Sequence, residues 1–241
     1  MSLPSLNGQR VVVIGGTSGI GYAVAEGALA EGASVVVGSS QAAKVEDALG
    51  RLGAGASGAA LDANDEAAVA AFLDRAGAFD HLVFTAGDWG SARFVGPLRT
   101  MDFDAAPGAL GVRFWGALKA VRQAQDRIAK DGSITLTSGV LAHRPRPGAP
   151  LNTAFAGALE HLVRGLAAEM APIRVNGVCP GLIMTEPVQA MPQERLKTFT
   201  DRQLLPRSGQ PQEAAQAYLY LMKGGFTTGQ VLVVDGGLLL T

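Results

Sequence analysis

The sequence holds one cysteine, Cys179, in 241 residues. That excludes an intramolecular disulfide and any zinc site built on several cysteines. Histidine is as scarce: His81, His143 and His161 stand far apart, none at a metal-ligand spacing, so no metal is expected. Charge is low and balanced, 20 basic against 21 acidic residues for a net −1, which argues against a nucleic-acid partner held through phosphates. No apolar run is long enough to cross a bilayer, so no membrane partner is expected. Residues 1–10, MSLPSLNGQR, show no charged segment followed by an apolar one, so no export signal is visible and a cytoplasmic location is the expectation. Tyrosine is rare too, with only Tyr22, Tyr218 and Tyr220.

What the chain does have is 48% hydrophobic residues, arranged as short β-branched runs between longer alanine-rich stretches. Strands are expected at Val11–Ile14, Ser34–Val37, Ala59–Asp62, His81–Thr85, Ser133–Thr137, Arg174–Cys179 and Val231–Val234. Helices are expected at Ile20–Glu31, Glu66–Ala76, Phe103–Ile128, Thr153–Met170 and Pro211–Met222. Gly50–Gly58 reads as a turn entering the third strand. Unalternated apolar strands suit a parallel sheet covered on both faces. The β-α alternation implies an α/β fold: a single doubly wound parallel sheet of Rossmann type, about seven strands, in one domain spanning 1–241. The segment 182–209 has little strand pattern and follows a strand's carboxyl end, where open α/β sheets bind ligands. It is expected to form a substrate lid with a short helix.

The strand Val11–Ile14 runs into Gly15-Gly16-Thr17-Ser18-Gly19-Ile20-Gly21, and a helix follows. Gly15 permits a tight turn, Gly19 close approach of a pyrophosphate, and Gly21 close packing of helix on strand. The helix N-terminus offers free N–H groups and the positive end of its dipole to an anion. The spacing is G-x-x-x-G-x-G, and its place between strand and helix points to a dinucleotide. The second strand ends Val37-Gly38-Ser39-Ser40-Gln41 without the carboxylate that would hold a ribose diol and repel a 2′-phosphate. Ser39 and Ser40 can donate to a phosphate and Lys44 can add charge, so NADP is favoured, with NAD the alternative.

These motifs resemble the short-chain dehydrogenase/reductase family over nearly the whole chain. Gly15, Gly19 and Gly21 resemble its cofactor turn, with Ile14 where a threonine is usual. Asp62 resembles its adenine-contacting Asp, and Thr85-Ala86-Gly87 the tail of its Asn-Asn-Ala-Gly strand end. Arg174-Val175-Asn176, Cys179-Pro180-Gly181 and Thr185 resemble its R-V-N…P-G-x-x-x-T segment, and Thr228-Gly229-Gln230 with Asp235-Gly236-Gly237 its T-G-Q…D-G-G. The resemblance implies cofactor contacts from Gly15, Thr17, Ser18, Gly19, Ile20, Gly21, Ser39, Ser40, Asp62, Ala63, Ala86, Gly87, Pro180, Gly181, Ile183 and Thr185. It also implies hydride transfer between a nicotinamide and a carbonyl or alcohol carbon of a small-molecule substrate.

That chemistry relies on a Tyr, a Lys four residues later, a Ser and an Asn. In register with Leu162–Pro172, the Tyr position falls on Asn152, the Lys position on Ala156, the Ser position on Gly139 beside Ser138, and the Asn position on Arg113. None of the three tyrosines has a lysine four residues on. Ser138, Arg113, His143 and Asn152 are therefore the candidate catalytic groups: Ser138, Arg113, His143 or Asn152 to polarise an oxygen, and water or His143 to supply the proton. A redox-silent binding protein, or a non-redox lyase or isomerase on the same scaffold, is the alternative. Asp88 and Trp89 are expected near the nicotinamide, and Cys179 as a small buried hydrophobe. Small residues along 153–170, with the helix around Trp115, resemble the family's subunit interface and imply a homotetramer or homodimer.

Overall fold

Consecutive residues of the first strand serve two different cores. β1 (Arg10–Ile14) sends Val12 and Ile14 into an apolar cluster with Phe72, Leu82, Leu136 and Val163, and Val11 and Val13 into another with Val24, Ala28, Tyr218 and Leu219. Successive strand residues point to opposite faces, so a strand covered on both sides has to be apolar throughout. These positions come from a computed structural model that describes residues 4–87, 96–104, 106, 108 and 111–241.

After β1 come α1 (Gly19–Ala30), β2 (Ser34–Ser39), α2 (Ala42–Leu52), β3 (Ala56–Ala60), α3 (Glu66–Ala76) and β4 (Phe79–Phe84). A π-helical turn, Gly111–Gly116, leads into α4 (Ala117–Ala124), followed by β5 (Ile128–Thr137), α5 (Pro150–Glu169) and β6 (Arg174–Pro180). Then come α6 (Glu186–Gln189), α7 (Gln193–Thr200), α8 (Pro211–Lys223) and β7 (Val231–Val234). The seven strands form one parallel sheet in the order β3-β2-β1-β4-β5-β6-β7. The order reverses at β1, which opens a crevice at the carboxyl ends of β1 and β4.

Three expectations need correction. The helix expected over Phe103–Ile128 is a π turn and an eight-residue α4, and Ile128 already begins β5. Gly116 lets this turn press on the chain after β3: a Cβ there would lie 2.9 Å from the Ala63 carbonyl oxygen. The polar Lys130-Asp131 pair at the start of β5 disguised its first half. The Gly50–Gly58 turn is shorter than expected, because α2 runs through Gly50 to Leu52 and ends at Gly53 with φ +74. The third strand starts at Ala56, an edge strand of small residues with no apolar run to announce it.

The segment 182–209 carries two short helices, α6 and α7, and its root is zipped shut. Ile183 bridges to Gly209, Met184 N–H donates to the Gly209 carbonyl at 2.8 Å, and Gly209 N–H donates to Leu182 at 2.9 Å. At the amino edge of the sheet, buried polar groups are closed on one another. His81 bonds Ser133 Oγ and Gln9 Oε1, each at 2.9 Å. Arg174 donates to the Leu221 and Met222 carbonyls at 2.6 and 2.7 Å, capping the end of α8. Asn176 donates to the Thr227 carbonyl at 2.8 Å. Among the described residues, no helix is long and apolar enough to cross a membrane.

Candidate functional site

The glycine turn is held to β4 by hydrogen bonds and leaves no room for side chains. Ala86 N–H donates to the Ile14 carbonyl at 3.0 Å, and Thr85 Oγ1 donates to Gly15 O at 3.1 Å. Gly15 sits at φ +94, and a Cβ there would lie 2.4 Å from Ala86 N. A Cβ on Gly21 would lie 2.2 Å from Gly15 O, so α1 starts directly against the turn. Gly19 has φ +53, and Thr185 reaches over it, with Cγ2 2.9 Å from where a Cβ would stand. Ser18 caps α1 in extended conformation and spends no side-chain hydrogen bond on the first-turn amides. Those N–H groups, beside Thr185, are the kind of donors that the diphosphate of a dinucleotide requires.

At the end implied for the adenosine, β2 closes on Ser39, and Ser40 after it is exposed. Asp62 Oδ1 accepts from Asn64 N–H and Nδ2 at 2.9 and 3.1 Å, shaping the turn after β3, and the Ala63 side chain is buried beneath it. Two cations flank this end. Lys44 pairs with Glu186 of α6 at 3.6 Å. Arg51, which the sequence did not single out, places Nη2 3.3 Å from the Thr17 carbonyl and its guanidinium 4.1 Å over the Tyr22 ring.

At the other end, Gly87 (φ +153) lies flat against the Arg113 side chain: a Cβ on Gly87 would be 2.3 Å from Arg113 Cγ. Arg113 lines a cavity of about 10 Å³ with Phe114, Thr137, Phe155, Ala156 and Leu159. The arginine thus occupies space beside Ala156, where α5 offers only a methyl group. One turn earlier, Asn152 is 7% exposed, and its buried Oδ1 has no hydrogen-bond partner among the described residues. A buried acceptor without a donor is costly. Pro180 and Gly181 close the end of β6, where Gly181 packs on Asp235, and Ile183 is buried at the root of 182–209.

Ser138 and His143 are brought together, both on Glu160. Ser138 is 1% exposed and donates to Glu160 Oε1 at 2.9 Å and to the Ala156 carbonyl at 3.2 Å. His143 Nε2 lies 2.9 Å from Glu160 Oε2. Glu160, on the sheet-facing side of α5, is, with Arg51, a residue that sequence reading missed. Its signal was a lone carboxylate among apolar neighbours at helical spacing (Ala156, Leu159, Val163). Cys179 is buried, and burial together with Glu160 pushes its thiol pKa well up, so it stays protonated.

No tyrosine stands at Asn152. Tyr218 is fully buried and bonded to Thr137 Oγ1 at 2.8 Å, and burial pushes its pKa up. Tyr22 lies under Arg51, and Tyr220 is exposed on α8. Arg144 donates to Leu238 and Thr241, and Arg146 lies over Phe199 of α7. Asp88 and Trp89 fall outside the described residues.

A family model described as enoyl-(acyl carrier protein) reductase matches residues 14–239. The chain is 36% identical to the short-chain dehydrogenase/reductase ucsE of Acremonium sp., over 98% of this chain and 97% of that relative. Among solved structures, the MalC reductase/Diels-Alderase of Malbranchea aurantiaca superposes with a TM-score of 0.91 at 32% identity, covering 98% of each chain. A small-chain dehydrogenase in complex with NADPH superposes with a TM-score of 0.82 at 32% identity, covering 98% of this chain and 100% of that one. With the glycine turn, the strand order and these relatives in agreement, the chain belongs to the short-chain dehydrogenase/reductase family of oxidoreductases.

Proposed function

We propose that the protein is an NADP(H)-dependent oxidoreductase acting on a carbonyl or alcohol substrate, in a site where Arg113 and Asn152 stand in for the family's missing Tyr-x-x-x-Lys pair. The observation that carries this reading is Arg113, a permanent cation, lying against Gly87 and beside Ala156. The cofactor supplies the hydride. First-turn amides of α1 and Thr185 hold its diphosphate, and Asn152 Oδ1 accepts a hydrogen bond from a ribose or substrate hydroxyl. The guanidinium cannot act as an acid near neutral pH, so Arg113 works by stabilising negative charge as it develops on the substrate oxygen. The proton comes from water, since His143 and Ser138 are engaged with Glu160.

The preference for NADP rests on the missing carboxylate after β2, on Ser39, Ser40 and Lys44, and on Arg51 beside the turn. The similar structure holding NADPH supports it. Titrating nicotinamide fluorescence tests it directly: NADPH is expected to bind about tenfold or more tightly than NADH, about 1.4 kcal/mol. Arg51→Ala is expected to remove most of that difference and leave NADH affinity unchanged. Equal affinities in the unaltered protein would overturn the preference.

A second reading is non-redox catalysis in the same pocket. It is favoured by the absence of a phenol at Asn152 and by likeness to the MalC reductase/Diels-Alderase. Oxidation of NADPH against a panel of carbonyl compounds separates the two. Turnover lost in Arg113→Met supports the first reading; tight NADPH binding with no oxidation supports the second.

A further inference from the structure

Glu160 is a carboxylate set in the core, 4% exposed, and its only ion-pair partner among the described residues is His143. An ionised carboxylate is expensive to bury unless a cation compensates it. Three donors of different kinds meet here from three elements. His143 Nε2 comes from the turn after β5, lying 3.0 Å from Oε1 and 2.9 Å from Oε2 of Glu160 on α5. Cys179 Sγ comes from the end of β6, and the three ligating groups lie within 4.8 Å of one another. Glu160 and Cys179 are buried, while the His143 side chain is 43% exposed, so solvent reaches the group from one side.

We propose that His143, Glu160 and Cys179 form a site for a zinc-class divalent cation, independent of the dinucleotide. One carboxylate, one thiolate and one neutral imidazole around a doubly charged ion sum to zero, which resolves the burial of Glu160. Binding forms one bond each from the metal to Nε2, a carboxylate oxygen and Sγ. The thiol proton of Cys179 leaves to solvent, and water takes the fourth position. Metal–ligand bonds of about 2.1 Å set tetrahedral ligand atoms about 3.4 Å apart. The imidazole therefore has to retreat from the carboxylate by about 0.5 Å, on a half-exposed turn, and a ligand atom at the 4.8 Å limit has to move in by about 1.4 Å. Ser138 Oγ, donating to Oε1, fixes the carboxylate as an outer partner. The thiolate and imidazole select zinc or cobalt over magnesium or calcium. Asp235, the other carboxylate near Cys179, already accepts from Gly237 and Leu239 N–H, each at 2.8 Å.

The test is titration of the chelator-treated full chain with Co²⁺, then Zn²⁺. One equivalent of Co²⁺ is expected to produce a thiolate-to-metal absorption band and tetrahedral visible bands, which one equivalent of Zn²⁺ abolishes. Cys179→Ala is expected to lose the thiolate band, and His143→Ala to weaken binding at least about tenfold, about 1.4 kcal/mol. Circular dichroism checks that this variant is folded, and a rise in melting temperature with Zn²⁺ seen in the unaltered protein is expected to vanish in it. No Co²⁺ bands, or binding unchanged in both variants, overturns the proposal and leaves a His143–Glu160 pair without metal.

Discussion

The two edges of the sheet differ in whether every buried polar group is met. At the amino edge, His81, Ser133, Gln9, Arg174 and Asn176 satisfy one another or cap neighbouring backbone. At the carboxyl edge, Ser138 and Thr137 are met, but Asn152 Oδ1 is buried without a donor among the described residues, and the glycine turn leaves first-turn amides uncapped by Ser18. Polar groups of the first kind hold the fold together; those of the second kind are stabilised only when something binds. Substitutions at the amino edge should therefore cost stability and spare binding, and substitutions at the carboxyl edge should do the reverse.

The largest separation is expected from Gly19→Val. A β-branched residue at φ +53 is strained, and its side chain meets Thr185 where the diphosphate is proposed to bind. Dinucleotide affinity should fall by about 1,000-fold, about 4 kcal/mol, with the seven-stranded sheet intact by circular dichroism. Retained affinity would mean that the phosphates bind elsewhere.

The amino edge gives the next effect, and it depends on pH. Burial lowers the His81 pKa from 6.5 to about 4, outweighing the neighbouring Asp80. The unfolded chain takes up this proton before the folded one does. The contribution is complete above about pH 6.5, shrinks as pH falls, and is gone below about pH 4. The gap is worth about 3 kcal/mol. Urea unfolding at pH 7 and pH 4.5 reads it. His81→Leu should flatten the slope between those values while leaving nicotinamide fluorescence titrations unchanged.

How much of this was legible in the sequence follows from distance along the chain. The glycine turn is local, so Gly15, Gly19 and Gly21 declare it, and the same holds for the helix Glu66–Ala76, found at its full length. Arg113 and Asn152 stand out because their positions in a known pattern carry the wrong chemistry. Helix α2 was hidden by Gly50, and the amino half of β5 by Lys130 and Asp131. Glu160 had a faint signal as a lone carboxylate on an apolar helix face, but its cluster was not legible. Its members Ser138, His143, Glu160 and Cys179 stand between 5 and 41 residues apart, just past β5, in the following turn, on α5 and on β6, and the parallel register of β5 and β6 brings Ser138 near Cys179.

A smaller effect is expected at Arg113, about 100-fold in turnover, about 2.7 kcal/mol. Arg113→Met keeps the volume beside Ala156 and removes the charge. If the guanidinium stabilises charge on the reacting oxygen, kcat falls and the affinity for NADPH measured by fluorescence does not. If Arg113 only packs under Gly87, both change little and the melting temperature falls instead.

The smallest effect is the most discriminating, because stability and function should move in opposite directions. Asn152→Leu replaces a buried acceptor that has no donor with an apolar side chain of similar size. At the amino edge such a change breaks a closed set of hydrogen bonds. Here it removes an unmet one, and the unliganded protein should become more stable by about 1 kcal/mol. The same change deletes the acceptor proposed to meet a ribose or substrate hydroxyl, so the stabilisation conferred by bound NADPH should shrink by a comparable amount. Melting curves with and without cofactor measure both terms on one sample. A variant that is less stable in both states would place Asn152 with His81 and Arg174, as a residue that holds the fold rather than one that waits for a ligand.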